Sequence, residues 1–277
     1  MALSEAFSNI FDNFRFHASI RGDRFLRFSY LIFYYSIFIF IRWGDRYLRC
    51  LNWLKASGLS DLRVRIETRE GLKFEMDLHT AFDPLFSILH NKDYFLLDEF
   101  LPKPGNVVID AGANIGIYSV FAASRVGETG IVVSIEPFQA NFEALSRNVE
   151  MNGLKNVRPV KAGVDERAGS AKLYVHERAI NHSLTRPSAK SMVIELKTID
   201  GIVSEFGLSW VDIIKIDTEG NVPQVLNGAK DTIARFHPRI AFEHDTPEES
   251  KNLESFLRDA GYRWSDLRTL TYACHEG

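Results

Sequence analysis

The chain has 277 residues, 45% of them hydrophobic and 25% charged, a composition that supports one sizeable core with an appendage and excludes a disordered or low-complexity protein. Its net charge of −3 gives no footing for a nucleic-acid partner. Cys50 and Cys274 lie at opposite ends, which excludes a disulfide framework or thiolate metal site and fits a reducing, cytoplasmic setting.

The charge is uneven. Residues 1–60 hold eight Lys and Arg against four Asp and Glu, a balance of +4 that leaves −7 for the remainder. Within this basic end, residues 28–41 are apolar around the whole helix circumference, interrupted only by Ser29 and Ser36 and flanked by Arg24, Arg27, Arg42 and Arg46. The run is short of the roughly 20 apolar residues that a membrane span needs. It fits either a helix lying on a membrane surface, with contact through residues 25–49, or a helix covered by the main domain or a partner.

Residues 58–78 alternate apolar and polar side chains around Glu70-Gly71, as a hairpin does. We therefore divide the chain into an apolar helical extension over 1–60 and a main domain over 61–277. The segment from residue 83 reads as helix until Pro102 and Pro104 end it. Then one theme repeats: strand 107–110 and helix 117–125, strand 131–136 and helix 141–151, strand 157–162. Two further alternating strands, at 170–177 and 191–200, flank a polar connection. Strand 211–217, helix 222–236 with Pro223 in its first turn, strand 239–245 and helix 247–260 follow, and residues 262–267 pair with 269–276 at the end. The expected architecture is α/β: a mostly parallel, doubly wound sheet with an antiparallel C-terminal strand, binding its ligand outside the carboxyl ends of the strands.

That rule yields a short list of residues. After the first strand come Asp110, Gly112, Ala113, Asn114 and Gly116. Glycines allow a sharp turn and close backbone approach, and a following helix offers N–H groups to an anion. The turn lacks the third glycine of the dinucleotide pattern, and Asp110 before it would repel a pyrophosphate but attract an ammonium group. Glu136, about 26 residues later and followed by Pro137, stands where such folds place an acid on ribose hydroxyls. An amino-acid end near Asp110 and a ribose near Glu136 describe S-adenosyl-L-methionine.

The segments VVIDAGANIGIYSVFAA, IVVSIEPFQANFEALSRNVEMNGLKNV, NHSL and VDIIKIDTEG stand in the order and spacing of the FkbM-type S-adenosylmethionine-dependent methyltransferases, which the chain resembles from about Asp83 onward. The resemblance implies a Rossmann-like class I methyltransferase fold acting on hydroxyls of sugars, secondary metabolites or lipid-linked glycans. It assigns Asp110, Gly112, Ala113, Asn114 and Gly116 to the methionine part of the cofactor, Glu136 and Pro137 to the ribose, and Ala162, Gly163, Val164 and Asp165 to the adenine. The family's usual Ala-Val-Gly-Asp is here Ala162-Gly163-Val164-Asp165, and Asn221-Val222-Pro223 replaces its Ala-Glu pair. Asp165 either binds the adenine amino group or starts the turn that follows it.

Asp217, Glu219 and His182, in that order, are the candidate bases. Lys215, Asp217 and Glu219 face one way along an extended strand, as a cation supporting a base and its partner or as an ion pair tying strand to loop. His244, which with Asp245 follows Glu243 at the end of the fifth strand, is either an alternative base oriented by Asp245 or only a flank of the capped helix that starts near Thr246-Pro247. No spacing demands a metal. A nicotinamide-dependent oxidoreductase and a membrane-tethered binding module without turnover are the rival readings. The sequence does not specify the oligomeric state.

Overall fold

A computed structural model of the chain describes residues 21–22, 63–77, 88, 93–176, 182–243, 247–267 and 270–276. The chain forms two compact units, Met1–Asn91 and Lys92–Gly277. In the first, β2 (Arg63–Glu67) and β3 (Lys73–Asp77) pair antiparallel, with Glu67 opposite Lys73, and β1 (Arg21–Gly22) adds to β2. Thr68 and Gly71, the latter at φ 83°, close the turn where the alternating pattern predicts it. Ile66, Phe74 and Met76 are buried while Arg65 and Lys73 face outward. The apolar run at 28–41, and with it the expected contact through 25–49, lies outside the described residues. Among the described residues no helix is long and apolar enough to cross a membrane.

The second unit is built on a seven-stranded sheet. Its strands are β4 (Val107–Ala111), β5 (Ile131–Ile135), β6 (Val157–Val160), β10 (Ile213–Ile216), β11 (Arg239–Glu243), β12 (Tyr262–Leu267) and β13 (Leu270–His275). They stand in the order β12-β13-β11-β10-β4-β5-β6. The five from β11 to β6 are parallel, and β13 enters antiparallel between β11 and β12. This is the expected doubly wound sheet with its antiparallel C-terminal strand. β4, β10 and β11 are nearly continuous apolar runs because both faces of a parallel sheet are covered.

The helices are α1 (Ile117–Val126), α2 (Gln139–Met151), α3 (Ile199–Glu205), α4 (Val222–Asn227), α5 (Lys230–Phe236) and α6 (Pro247–Asp259). On one sheet face Ile109, Val133, Ile214, Ile240 and Phe242 share a core with residues of α3 to α6. Side chains alternate along a strand, so Asp110, Ser134, Lys215 and Glu243 project from the opposite face. A second, three-stranded sheet holds β7 (Gly163–Val164), β9 (Lys190–Lys197) and β8 (Gly169–Val175); β8 and β9 are the two extra strands around the polar connection.

Three elements depart from the sequence reading. Of the helix expected up to Pro102, the described residues 93–101 contain only a 3-10 turn at Asp98–Phe100, because Tyr94 takes a left-handed φ of 73° that no helix continues through. The helix expected over 222–236 is two helices, broken at Gly228-Ala229. A Cβ on Gly228 would lie 2.2 Å from the carbonyl oxygen of Asp165, so the chain packs here against another backbone and bends. And α3, read as the end of a strand, begins where Thr198 Oγ1 accepts a hydrogen bond from the Gly201 N–H at 2.9 Å, an ordinary N-cap.

Gly228→Ala is expected to destabilise the protein by roughly 1–3 kcal/mol, the usual range for overpacking. Denaturant unfolding checks this; an unchanged midpoint would mean that the two helices can run on as one.

Candidate functional site

β4 lies between β5 and β10, and the chain leaves its carboxyl end to cross to one side only. This is the switch point at which open α/β sheets bind ligands. Four adjacent strands bring an acid to that edge: Asp110 in β4, Glu136 after β5, Asp217 after β10 and Glu243 ending β11. By strand parity all four side chains share a face with Lys215.

Lys215 organises them. It is 2% exposed, and its Nζ lies 2.9 Å from Asp110 Oδ1 and 3.6 Å from Asp217 Oδ2. It also donates to the Gly112 carbonyl at 2.8 Å and sits 5.1 Å from the centre of the Tyr94 ring. Burial opposes its charge, but the charges of Asp110 and Asp217 outweigh burial and leave its pKa raised. Asp110 is fully buried and accepts a second contact, a 2.5 Å hydrogen bond from Ser119 Oγ. Its carboxylate faces Lys215 and Ser119.

The turn after β4 is closed in the same way. Gly112 and Ala113 donate their N–H groups to Ile135 O, Asn114 donates to Glu136 Oε2 at 2.8 Å, Ile115 to Asn114 Oδ1 and Gly116 to Ala113 O. No N–H of residues 112–116 is left for a ligand carboxylate. The glycines serve close approach: Gly112 has φ 81° and an added Cβ would fall 1.8 Å from Asp217 O, while one on Gly116, at φ 87°, would fall 2.4 Å from Leu145 Cδ1. Buried Asn148 from α2 fixes the turn further, donating to Ile115 O at 2.8 Å.

Glu136 is 5% exposed and accepts hydrogen bonds from the N–H groups of Asn114 and Phe138 and the amide of Asn141. Burial raises its pKa to about 7, against the lowering effect of those bonds. A carboxylate offers about four acceptor positions, so it keeps capacity for a ligand hydroxyl. Pro137 follows it and sets the chain toward Phe138, the residue before α2.

The predicted adenine residues are packed into the protein. Ala162 and Val164 belong to the core, and Gly163 pairs with Leu196 of β9, where a Cβ would meet Ile194 and Leu196 below 3 Å. Asp165 both starts its own turn, accepting the Glu166 N–H, and accepts the Asn221 amide at 3.2 Å. Buried Asn221 thereby ties this loop to the one after β10, also donating to Val164 O at 2.9 Å.

The candidate bases separate. β10 ends at Ile216, and Glu219 at φ 51° turns out of line with Lys215 and Asp217. It pairs with Arg186 at 2.6 Å, while Ser183 Oγ donates to its carbonyl at 2.7 Å. His182 packs edge-on against Phe138 at 4.1 Å, and its Nδ1 accepts the His176 N–H at 3.1 Å. The proton is therefore on Nε2, a buried atom without a hydrogen-bond partner. Burial, then the nearby His176, lowers the pKa of His182 to about 4. Asp217 remains at the centre of the site.

Two participants escaped the sequence reading. Burial, followed by the charges of Asp217 and Glu219, pushes Glu243 up to about 8. Tyr94 is buried beneath Lys215 and held well above an ordinary phenol by burial and then by the charges of Asp217 and Glu243. Glu243 could have been found as the fourth apolar strand ending in an acid. Tyr94 lay inside an expected helix and gave no signal. His244 and Asp245 lie outside the described residues, and among the described residues no group of three potential ligands could hold a metal ion.

The family model described as Methyltransferase FkbM domain matches residues 110–264. The chain is 24% identical over 189 residues to Methyltransferase sdnD of Sordaria araneosa, covering 56% of this chain and 73% of that one. It is also 24% identical over 194 residues to 31-O-demethyl-FK506 methyltransferase FkbM of Streptomyces tacrolimicus, covering 58% and 74%. Among solved structures, methyltransferase FkbM from Methylobacillus flagellatus aligns with a TM-score of 0.47 at 17% identity over 71% of this chain, which spans about half (54%) of that protein. Aeropyrum pernix fibrillarin in complex with S-adenosyl-L-methionine aligns at 0.45 and 13% identity, over 76% and 93%.

Lys215→Met leaves Asp110 buried without its cation and is expected to cost about 3–5 kcal/mol of stability. Adding Asp110→Asn should recover part of that loss; equal denaturation midpoints for wild type and Lys215→Met would contradict the central role of the lysine.

Proposed function

The chain belongs to the FkbM methyltransferase family, and from that premise we propose that it transfers a methyl group from S-adenosyl-L-methionine to a hydroxyl oxygen of a sugar, a glycan, a lipid-linked compound or a secondary metabolite. Family membership implies the donor. The observation that supports its fit to these residues is the row of acids at the edge of four adjacent strands, Asp110, Glu136, Asp217 and Glu243, served by the buried ammonium of Lys215. Such an edge favours a cationic ligand and disfavours the pyrophosphate of a nicotinamide dinucleotide. The hydroxyl acceptor is a proposal consistent with the name of the 31-O-demethyl-FK506 methyltransferase.

S-adenosylmethionine supplies a methyl group on a positively charged sulfur, already reactive toward an oxygen nucleophile. What the residues contribute is placement and proton acceptance. Glu136 is positioned to accept the ribose hydroxyls from the end of β5. The turn 112–116 would hold the methionine part by its shape, with its own N–H groups engaged inside the protein. Ala162 to Asp165 would line the adenine from behind. Asp217 receives the hydroxyl proton of the acceptor, while Glu219, locked by Arg186, fixes the loop that carries it. Nε2 of His182 offers a hydrogen bond to the bound molecules. Residues 61–277 form the catalytic part in this reading, and residues 1–60 an extension suited to a membrane surface or a partner.

Glu136 also sets a pH dependence. Its folded pKa, about 7, exceeds the ordinary 4.5, so its contribution to stability is full below the unfolded value and is lost as pH rises through about 7. Accepting ribose hydroxyls requires the ionised form. The melting-temperature increase produced by S-adenosylmethionine should therefore be larger at pH 8 than at pH 6, and Glu136→Ala should weaken binding by roughly ten- to a hundredfold, the worth of one or two charge-assisted hydrogen bonds. Equal increases at the two pH values would remove Glu136 from the site. The transfer itself is tested by mass spectrometry of cell extracts with and without the gene: the acceptor should appear lighter by one methyl group when the protein is absent, and no such species would contradict the reading.

A further inference from the structure

Residues 182–186 are fastened to three other elements. Ser183 and Tyr174 of β8 exchange backbone hydrogen bonds at 2.8 and 3.2 Å, and Ser183 Oγ donates to Glu219 O after β10 at 2.7 Å. The third contact is the His182 ring, whose centre lies 4.1 Å from that of Phe138. Phe138 in turn donates its N–H to Glu136 at 2.9 Å, so His182 stands against the residue that anchors the carboxylate assigned to the ribose. The setting is apolar: Phe138 and Leu184 pack on Leu173, Ile194 and Leu196, and Leu196 pairs with Gly163 of the stretch assigned to the adenine. Polar groups nearby are engaged inside the protein. Asp165 accepts the Glu166 N–H and the Asn221 amide, and Ser183 Oγ accepts the N–H groups of Thr185 and Arg186 while donating to Glu219 O. His182 differs. Its Nδ1 accepts the His176 N–H at 3.1 Å, which leaves the ring proton on Nε2, and buried Nε2 has no partner. A buried donor without an acceptor is rare in a native structure and calls for a cause; this ring cannot turn to find one without giving up its Nδ1 bond and its contact with Phe138.

We propose that Nε2 of His182 is the donor that reads the adenine of S-adenosylmethionine, hydrogen-bonding to an accepting ring nitrogen of the base. This rests on the methyltransferase reading above. Ribose and base are joined by a single bond, so a ribose held by Glu136 places the base beside Phe138 and His182. A flat base needs apolar faces and a few polar groups at its edge, which Phe138, the cluster around Leu196 and the Nε2 proton supply together. The acceptor's hydroxyl has a different place to reach: Asp217 follows β10, which β4 separates from β5 and Glu136. His182 is therefore a binding residue for the cofactor's base, and the loop that carries it links base recognition to Glu219 through Ser183.

The test is calorimetry of the full chain with S-adenosylhomocysteine and with its deaza analogues, in each of which CH replaces one accepting ring nitrogen of the adenine. The wild type is expected to bind one of these analogues about tenfold more weakly than the parent, the worth of one hydrogen bond whose donor is left buried and unpaired. His182→Phe keeps an aromatic ring against Phe138 and removes the N–H. In that variant the parent should bind about tenfold more weakly than it does to the wild type, and the deficit of that analogue should close to within about twofold. No deficit for any analogue in the wild type, or a deficit unchanged in His182→Phe, would overturn the proposal while leaving cofactor binding intact. Should His182→Phe fail to fold, the wild type decides: its side-chain Nε2–H resonance should move downfield when S-adenosylhomocysteine binds, and an unmoved resonance would overturn the proposal. Failure of the wild type to bind S-adenosylmethionine or S-adenosylhomocysteine at all would instead remove the methyltransferase reading, and the proposal with it.

Discussion

One buried ammonium group holds the carboxyl edge of this sheet together. Lys215 is 2% exposed and faces Asp110, which is fully buried; neither charge is tolerable there alone, because a charge without a partner in the interior costs several kcal/mol. The pair also sets geometry. Lys215 stands opposite Asp110 in the register of β10 and β4, so the ion pair bridges the two strands across the switch point. Its third contact, to the carbonyl of Gly112, fixes the turn that follows β4. The same cation stands 3.6 Å from Asp217, beyond the closer pair it makes with Asp110.

A consequence is that the glycine turn is a packing device before it is a binding device. Its five N–H groups are engaged by Ile135, Glu136, Asn114 and Ala113, and its first glycine leaves room for the carbonyl of Asp217. Glu136 has two tasks on the same carboxylate: it joins the turn to the start of α2, through the N–H groups of Asn114 and Phe138, and it remains at the ligand edge. The loop from His182 to Arg186 is tied to the strand ends by Ser183 and Arg186 through Glu219. The loop is thus joined to the strand ends by polar contacts, and to Phe138 before α2 by the ring of His182.

Much of the architecture is legible in the sequence because its signals are local. Branched apolar runs that end in an acid mark β4, β5, β10 and β11, and the helical periods between them give α1, α2 and α6. The breaks were not legible, since they depend on partners distant in the chain. Gly228 bends the helix because Asp165, 63 residues earlier in the numbering, lies against it, and Tyr94 adopts a positive φ where helical periodicity predicts none. The site divides in the same manner. Residue type places Asp110, Glu136 and Asp217 at the strand ends, but only the fold shows that Asp110 pairs with Lys215, that Arg186 engages Glu219, and that Nδ1 of His182 accepts the His176 N–H. Glu243 is masked in the sequence by the neighbouring imidazole of His244, the more usual base by residue type, whereas the strand register puts Glu243 beside Asp217.

The most direct measurement is a crystal structure of the full chain with S-adenosylhomocysteine. The account requires the ribose hydroxyls within hydrogen-bond distance of Glu136 and the sulfur directed toward Asp217, with the Lys215–Asp110 pair undisturbed. A ligand seated away from the carboxyl ends of β4, β5 and β10, or Lys215 drawn off Asp110 to contact it, would contradict the account.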